Sequence, residues 1–181
     1  MPTLMTNTVK KSMNDNENII EKTNIIVSNR KKSRKLLFQE LYSLSTNKFD
    51  KKLFRDSFFN EVHSFKIDED YLDEMHKIIV FNEAFFINIF KICAPKFNIK
   101  KMSLSNVLPV YIWLAEMFFI KEEIPGKVSI NEAVEIAKVY WDDSAKKVVN
   151  WILNKVYKDF DELNKTKNKD YSNITESCFK K

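Results

Sequence analysis

A single glycine among 181 residues, Gly126, limits what this chain can fold into more than any other feature. Hairpins, bulges and tight turns lean on glycine, which alone reaches positive φ at little steric cost. With one glycine there is no Gly-rich loop of either the Walker or the Rossmann kind. A multi-stranded sheet with tight turns is disfavoured for the same reason. Helices remain, and the chain can sustain them: 44% of its residues are hydrophobic, fifteen are Phe and 30% are charged. That is ample apolar material for an interior, with enough charge to solvate the outer faces.

Several functions are disfavoured by what the sequence lacks. Cys93 and Cys178 lie far apart, His63 and His76 are the only histidines, and no pair has zinc-ligand spacing. Reduced thiols, no metal and no cofactor are the expectation. The N-terminus has no signal-type apolar core. The longest apolar run, 107–120, contains Pro109 and Glu116 and is too short to span a membrane. A cytoplasmic protein that does not enter a membrane is therefore expected. Carboxylates at Asp68–Asp70, Glu122–Glu123 and Asp142–Asp143 fall at helix starts or on diverging faces, with no histidine base beside them. No catalytic residue is assigned, and the chain reads as a non-enzyme.

Residues 1–29, rich in Asn, Thr, Ser and Lys, read as a disordered extension, 30–163 as the folded unit and 164–181 as a flexible tail. Within the folded unit apolar residues recur at three and four. Leu36, Leu37, Leu41 and Leu44 mark a first helix; Leu53, Phe54, Phe58, Val62 and Phe65 mark a second. One long helix is predicted from Tyr71 through Phe90, ending before Pro95. Asn106 is the expected N-cap of the next, which puts Pro109 at its third position. Ser129-Ile-Asn-Glu132 has the form of a capping box opening a further helix lined by Ile130, Ala133, Val134, Ala137 and Tyr140. A last helix, capped around Asp142–Ser144, buries Val148, Val149, Ile152, Val156 and Phe160. Six or seven helices make an all-α protein.

The run Arg30-Lys-Lys-Ser-Arg-Lys35 sets five cations in six residues at the start of the first helix. A helix N-terminus already carries partial positive charge, so each of these cations is unfavourable by a few tenths of a kcal/mol, on the order of 0.3. A polyanion converts that liability into a binding surface, because phosphates meet both the side chains and the free N–H groups. Nucleic acid, an anionic membrane surface and a merely solvated basic segment all fit the run by itself. The overall excess of +5 agrees in sign and suits a local patch.

The segment Asn29-Arg-Lys-Lys-Ser-Arg-Lys-Leu-Leu-Phe-Gln-Glu-Leu-Tyr42 resembles the opening of the NusB family. Ile124-Pro-Gly-Lys-Val-Ser-Ile-Asn-Glu-Ala-Val-Glu-Ile-Ala-Lys138 is similar to that family's signature, and it continues without a gap to Lys147-Val-Val-Asn150 and Ile152-Leu-Asn-Lys155. The resemblance implies an all-α fold of two roughly perpendicular three-helix bundles. It also implies binding of single-stranded boxA-like RNA from ribosomal leader transcripts, shared with the ribosomal protein NusE. Together they would join the RNA polymerase antitermination complex, without catalysis. The RNA-binding residues carried over are Arg30, Lys31, Lys32, Arg34 and Tyr42, and, from the last helix, Ser144, Lys147 and Val148; Asn106 is carried over as a partner contact.

Several positions depart from the family pattern. Val148 stands where Phe is usual, Trp141 and Trp151 where Gly is usual, and Tyr111 where Arg is usual. Asn106 replaces an acidic residue. A protein-interaction module that has lost boxA recognition is accordingly the alternative reading.

Overall fold

Every regular element among the described residues is helical, as the scarcity of glycine requires. The computed structural model describes residues 30–46, 49–59, 68–120, 125–140 and 143–179. The expected N-terminal extension, 1–29, lies outside them, as do His63, Trp141 and Asp142. The helices are α1 (30–46), α2 (Lys51–Phe59), α3 (Glu69–Phe81), α4 (Glu83–Cys93), α5 (Leu104–Phe119), α6 (Gly126–Tyr140), α7 (Asp143–Lys158) and α8 (Phe160–Asn164), with a short 3-10 turn at Ile99–Lys101. Among the described residues there are eight helices, against the six or seven expected, because single residues interrupt two expected runs. Asn82 (φ −105°, ψ 16°) divides the long helix into α3 and α4, and Asp159 divides the last into α7 and α8.

Helix α5 is the centre of the molecule, packed against α3, α6 and α7. It is enclosed on nearly every side, with Val107, Leu108, Val110, Ile112, Trp113 and Leu114 all buried, and it is accordingly apolar apart from a few polar residues such as Glu116. No helix among the described residues is long and apolar enough to cross a membrane. The start of α5 differs from the expectation. Ser103, not Asn106, is the N-cap residue, which places Pro109 inside the helix. An interior proline forfeits one backbone hydrogen bond, at about 3 kcal/mol. Burial of this whole stretch outweighs that loss, so the helix extends back past Asn106.

The Ser129 expectation is corrected in the same way. Helix α6 begins at Gly126, with the Pro125 carbonyl accepting from the N–H groups of Val128 and Ser129 at 2.8 and 3.1 Å. Ser129 is thus one turn inside the helix. Its hydroxyl donates to Glu116 Oε2 at 3.0 Å instead of capping. Gly126 itself has no positive φ. It is needed for close approach: a Cβ there would collide with the ring of Tyr157.

Residues 165–179 are not the loose tail that composition suggests. Tyr171, Ile174, Cys178 and Phe179 pack on the core, and Lys167 Nζ donates to the Phe118 carbonyl at 2.5 Å. Glu83, buried at the start of α4, accepts from the Ser177 hydroxyl and, at 2.5 Å, from the Cys178 N–H. A buried carboxylate needs such donors, and the tail supplies them. Polar composition conceals four well-spaced apolar anchors. Burial, followed by the nearby Glu83 charge, pushes the Cys178 thiol up to about 12. Native Cys178 should therefore react with iodoacetamide at pH 8 roughly a thousandfold more slowly than an ordinary cysteine, because its thiolate is that much scarcer. Labelling at the ordinary rate in the folded protein would mean the tail is not docked.

Candidate nucleic-acid interface

Helical geometry divides the basic run between two faces of α1. Leu36, Leu37, Phe38 and Leu41 turn inward, and the 3.6-residue period takes Arg30 and Arg34 with them. Arg34 is buried, its side chain 8% exposed, with Nε 2.7 Å from Glu116 Oε1 and Glu132 at 4.0 Å. Burial alone would lower its pKa, but Glu116, Tyr71 and Glu132 together more than offset this, and the result is raised. The Glu116 carboxylate, 2% exposed, also accepts from the Tyr71 hydroxyl at 2.6 Å and from Ser129. Burial, reinforced by Glu116, holds the Tyr71 phenol well above its ordinary pKa. Four helices therefore meet at one carboxylate: α1, α3, α5 and α6. Arg30 is tethered similarly, 3.1 Å from Asp68 and 4.4 Å above the Tyr71 ring. Asp68 in turn caps α3 through the Tyr71 N–H at 3.0 Å.

The opposite face of α1 presents what remains. Lys31 and Lys32 are exposed, Lys35 and Gln39 half-buried, and Tyr42 37% exposed. These residues follow one another along a single helical stripe that carries three cations and no carboxylate. The one acidic residue of α1, Glu40, is buried on the inner side, with Arg55 Nη2 3.2 Å and His76 Nδ1 3.0 Å away. Lys35 and Gln39 belong to this surface although the family resemblance does not point to either. The spacing Lys32–Lys35–Gln39–Tyr42 is the signal that identifies them.

Tyr42 also links the stripe to the last helices. Its ring lies 6.2 Å from Phe38, which stacks on Tyr140 with centroids 4.5 Å apart. Tyr140 ends α6, and α7 begins three residues later. On α7, Ser144 and Lys147 are exposed, while Val148 is half-buried and packs on the core. The remaining expected residue, Asn106, is half-buried at the third position of α5. The structure thus gathers Lys31, Lys32 and Tyr42 on one face, with the start of α7 reached through Tyr140. Arg30 and Arg34 stand behind that face as internal anchors. No group of His, Cys, Asp or Glu suited to a metal occurs among the described residues.

Fold and surface together define an all-helical protein with a cationic stripe on its first helix. The NusB family model matches residues 31–158, and the chain belongs to the NusB family. A relative from Clostridium perfringens strain SM101, described as transcription antitermination protein NusB, is 32% identical over 72% of this chain and 97% of its own length. A relative of the same description from Buchnera aphidicola subsp. Cinara cedri is 33% identical, over 71% of this chain and 90% of its own length. A solved chain described as the crystal structure of a plectonemic RNA supercoil matches with a TM-score of 0.63 at 23% identity, covering 72% of this chain and 95% of that one. At that identity the likeness speaks for the fold alone.

Proposed function

We propose that this NusB-family protein is a non-enzymatic, cytoplasmic RNA-binding factor of transcription antitermination. Its ligand is a boxA-like single-stranded element of ribosomal RNA leader transcripts, bound together with NusE in the RNA polymerase antitermination complex. The observation that carries this reading is the carboxylate-free stripe of Lys31, Lys32, Lys35, Gln39 and Tyr42 on α1. Cations at a helix start, with an aromatic ring on the same face, suit a phosphate backbone and an unstacked base. Ser144 and Lys147 extend the surface onto α7, and Asn106 is retained as a candidate NusE contact. Arg30 and Arg34 serve the same reading indirectly, by fixing α1 on the core.

The test is a mobility-shift titration against boxA-like RNA, with and without NusE, at two salt concentrations. A complex that weakens steeply with salt and tightens with NusE is the expected result. One observation favours the alternative of a protein-interaction module: Val148 packs on the core and offers no ring to a base. Association with NusE or polymerase but no RNA shift would select that alternative.

A further inference from the structure

Beyond Lys147, away from Tyr140, α7 carries one of a pair of aromatic rings that packing alone does not account for. Trp151, on α7, is 50% exposed, and Phe97, in the segment between α4 and α5, is 39% exposed. Their centroids are 5.8 Å apart and their planes 42° apart, so neither ring covers the other face to face. Large aromatics are usually buried or engaged, because each removes considerable apolar surface from water when covered.

The segment that presents Phe97 is built, not slack. The Phe97 N–H donates to the Ala94 carbonyl at 2.9 Å, and Asn98 Oδ1 accepts from the Lys100 N–H at 3.0 Å. Ile99 and Met102 pack the turn against the core. Around the rings the charge is positive. Residues 94–103 include Lys96, Lys100 and Lys101, all exposed, and no acid. On α7, Lys147 and Lys155 lie one turn to either side of Trp151. Two acids are paired with lysines: Asp159 with Lys155 at 3.0 Å, which leaves Lys147 as the α7 cation of this surround, and Glu176 with Lys91 at 2.9 Å.

We propose that Trp151 and Phe97 form a base-stacking platform for single-stranded RNA, one turn along α7 from Lys147. The inference rests on the RNA reading above and adds a site to it. Flat, sequence-tolerant π-faces within a cationic surround are what successive unstacked bases and their phosphates require. Val148, lacking a ring of its own, precedes Trp151 by three residues on the same helix, so stacking is displaced by about one turn instead of being lost.

The test compares wild type, Trp151→Ala, Trp151→Phe and Phe97→Ala on a boxA-like oligoribonucleotide and on its abasic counterpart of the same length. Trp151→Ala should weaken binding to the base-bearing strand by about five- to a hundredfold, with an unchanged salt slope. It should leave abasic binding as it was, and Trp151→Phe should restore most of the loss. Phe97→Ala should weaken binding in the same sense. Undiminished affinity in Trp151→Ala, or an equal loss on the abasic strand, overturns the platform while the RNA reading stands. Wild type that binds neither strand overturns both. Self-association in sedimentation that disappears in Trp151→Ala would instead assign the rings to a second copy of this chain.

Discussion

Replacing Arg34 with Ala is expected to lower the stability of the fold by about 3–5 kcal/mol, read from urea denaturation of the full chain. The reason is the partner left behind. Glu116 is buried in the centre of the molecule, and Arg34 is the cation at 2.7 Å from it. Tyr71 and Ser129 donate to the same carboxylate but carry no charge to balance it. Removing one member of a buried pair strands the other, and the cost is that of an uncompensated charge. Lys31→Ala and Lys32→Ala, on the outer face, should change stability by no more than about 0.5 kcal/mol. An Arg34→Ala protein that unfolds at the wild-type urea midpoint would show that the pair is not what joins α1 to α5. The same reasoning bears on binding experiments: neutralising Arg30, Lys31, Lys32 and Arg34 together would confuse damage to the RNA surface with damage to the scaffold.

The discriminating variant is Lys31→Ala/Lys32→Ala/Lys35→Ala. Each phosphate neutralised on a single strand contributes about 0.7 to the slope of log K against log salt. Without these three cations that slope should become shallower by roughly 2, and binding should weaken roughly fiftyfold at about 0.15 M salt. Thermal stability should be untouched, because these side chains are exposed or half-buried and Arg34 remains in place. Retention of wild-type affinity and slope would remove α1 from the RNA surface.

Much of this architecture is legible in the sequence, and the exceptions share a cause. Helix positions follow from apolar spacing because burial enforces a period that sequence displays directly. Leu36, Leu37 and Leu41 are indeed inside. The neighbouring cations look like one block in the sequence, whereas a helix separates adjacent residues by about 100°. That period, applied to the run, sends Arg30 and Arg34 inward and brings Lys35 and Gln39 out. Cap assignments at Asn106 and Ser129 fail because local hydrogen-bond logic competes with long-range burial. Nothing near Ser129 in sequence announces that Glu116, thirteen residues earlier, needs a donor. Trp151 is visible as an oddity, but its pairing with Phe97 joins segments that only the fold brings together. Composition likewise hides the docking of residues 165–179, since it averages away sparse anchors such as Tyr171 and Ile174.

The clasp between the chain's last residues and Glu83 has a practical consequence. The family match stops at residue 158, yet the interior of this protein is completed by side chains beyond it. Trimming the polypeptide to its recognisable family portion would deprive Glu83 of the Ser177 and Cys178 donors and open the Tyr111 hydroxyl, whose neighbour is Cys178 Sγ at 3.9 Å, to water. For this member of the family, the boundary of the recognisable sequence and the boundary of the stable body are different places.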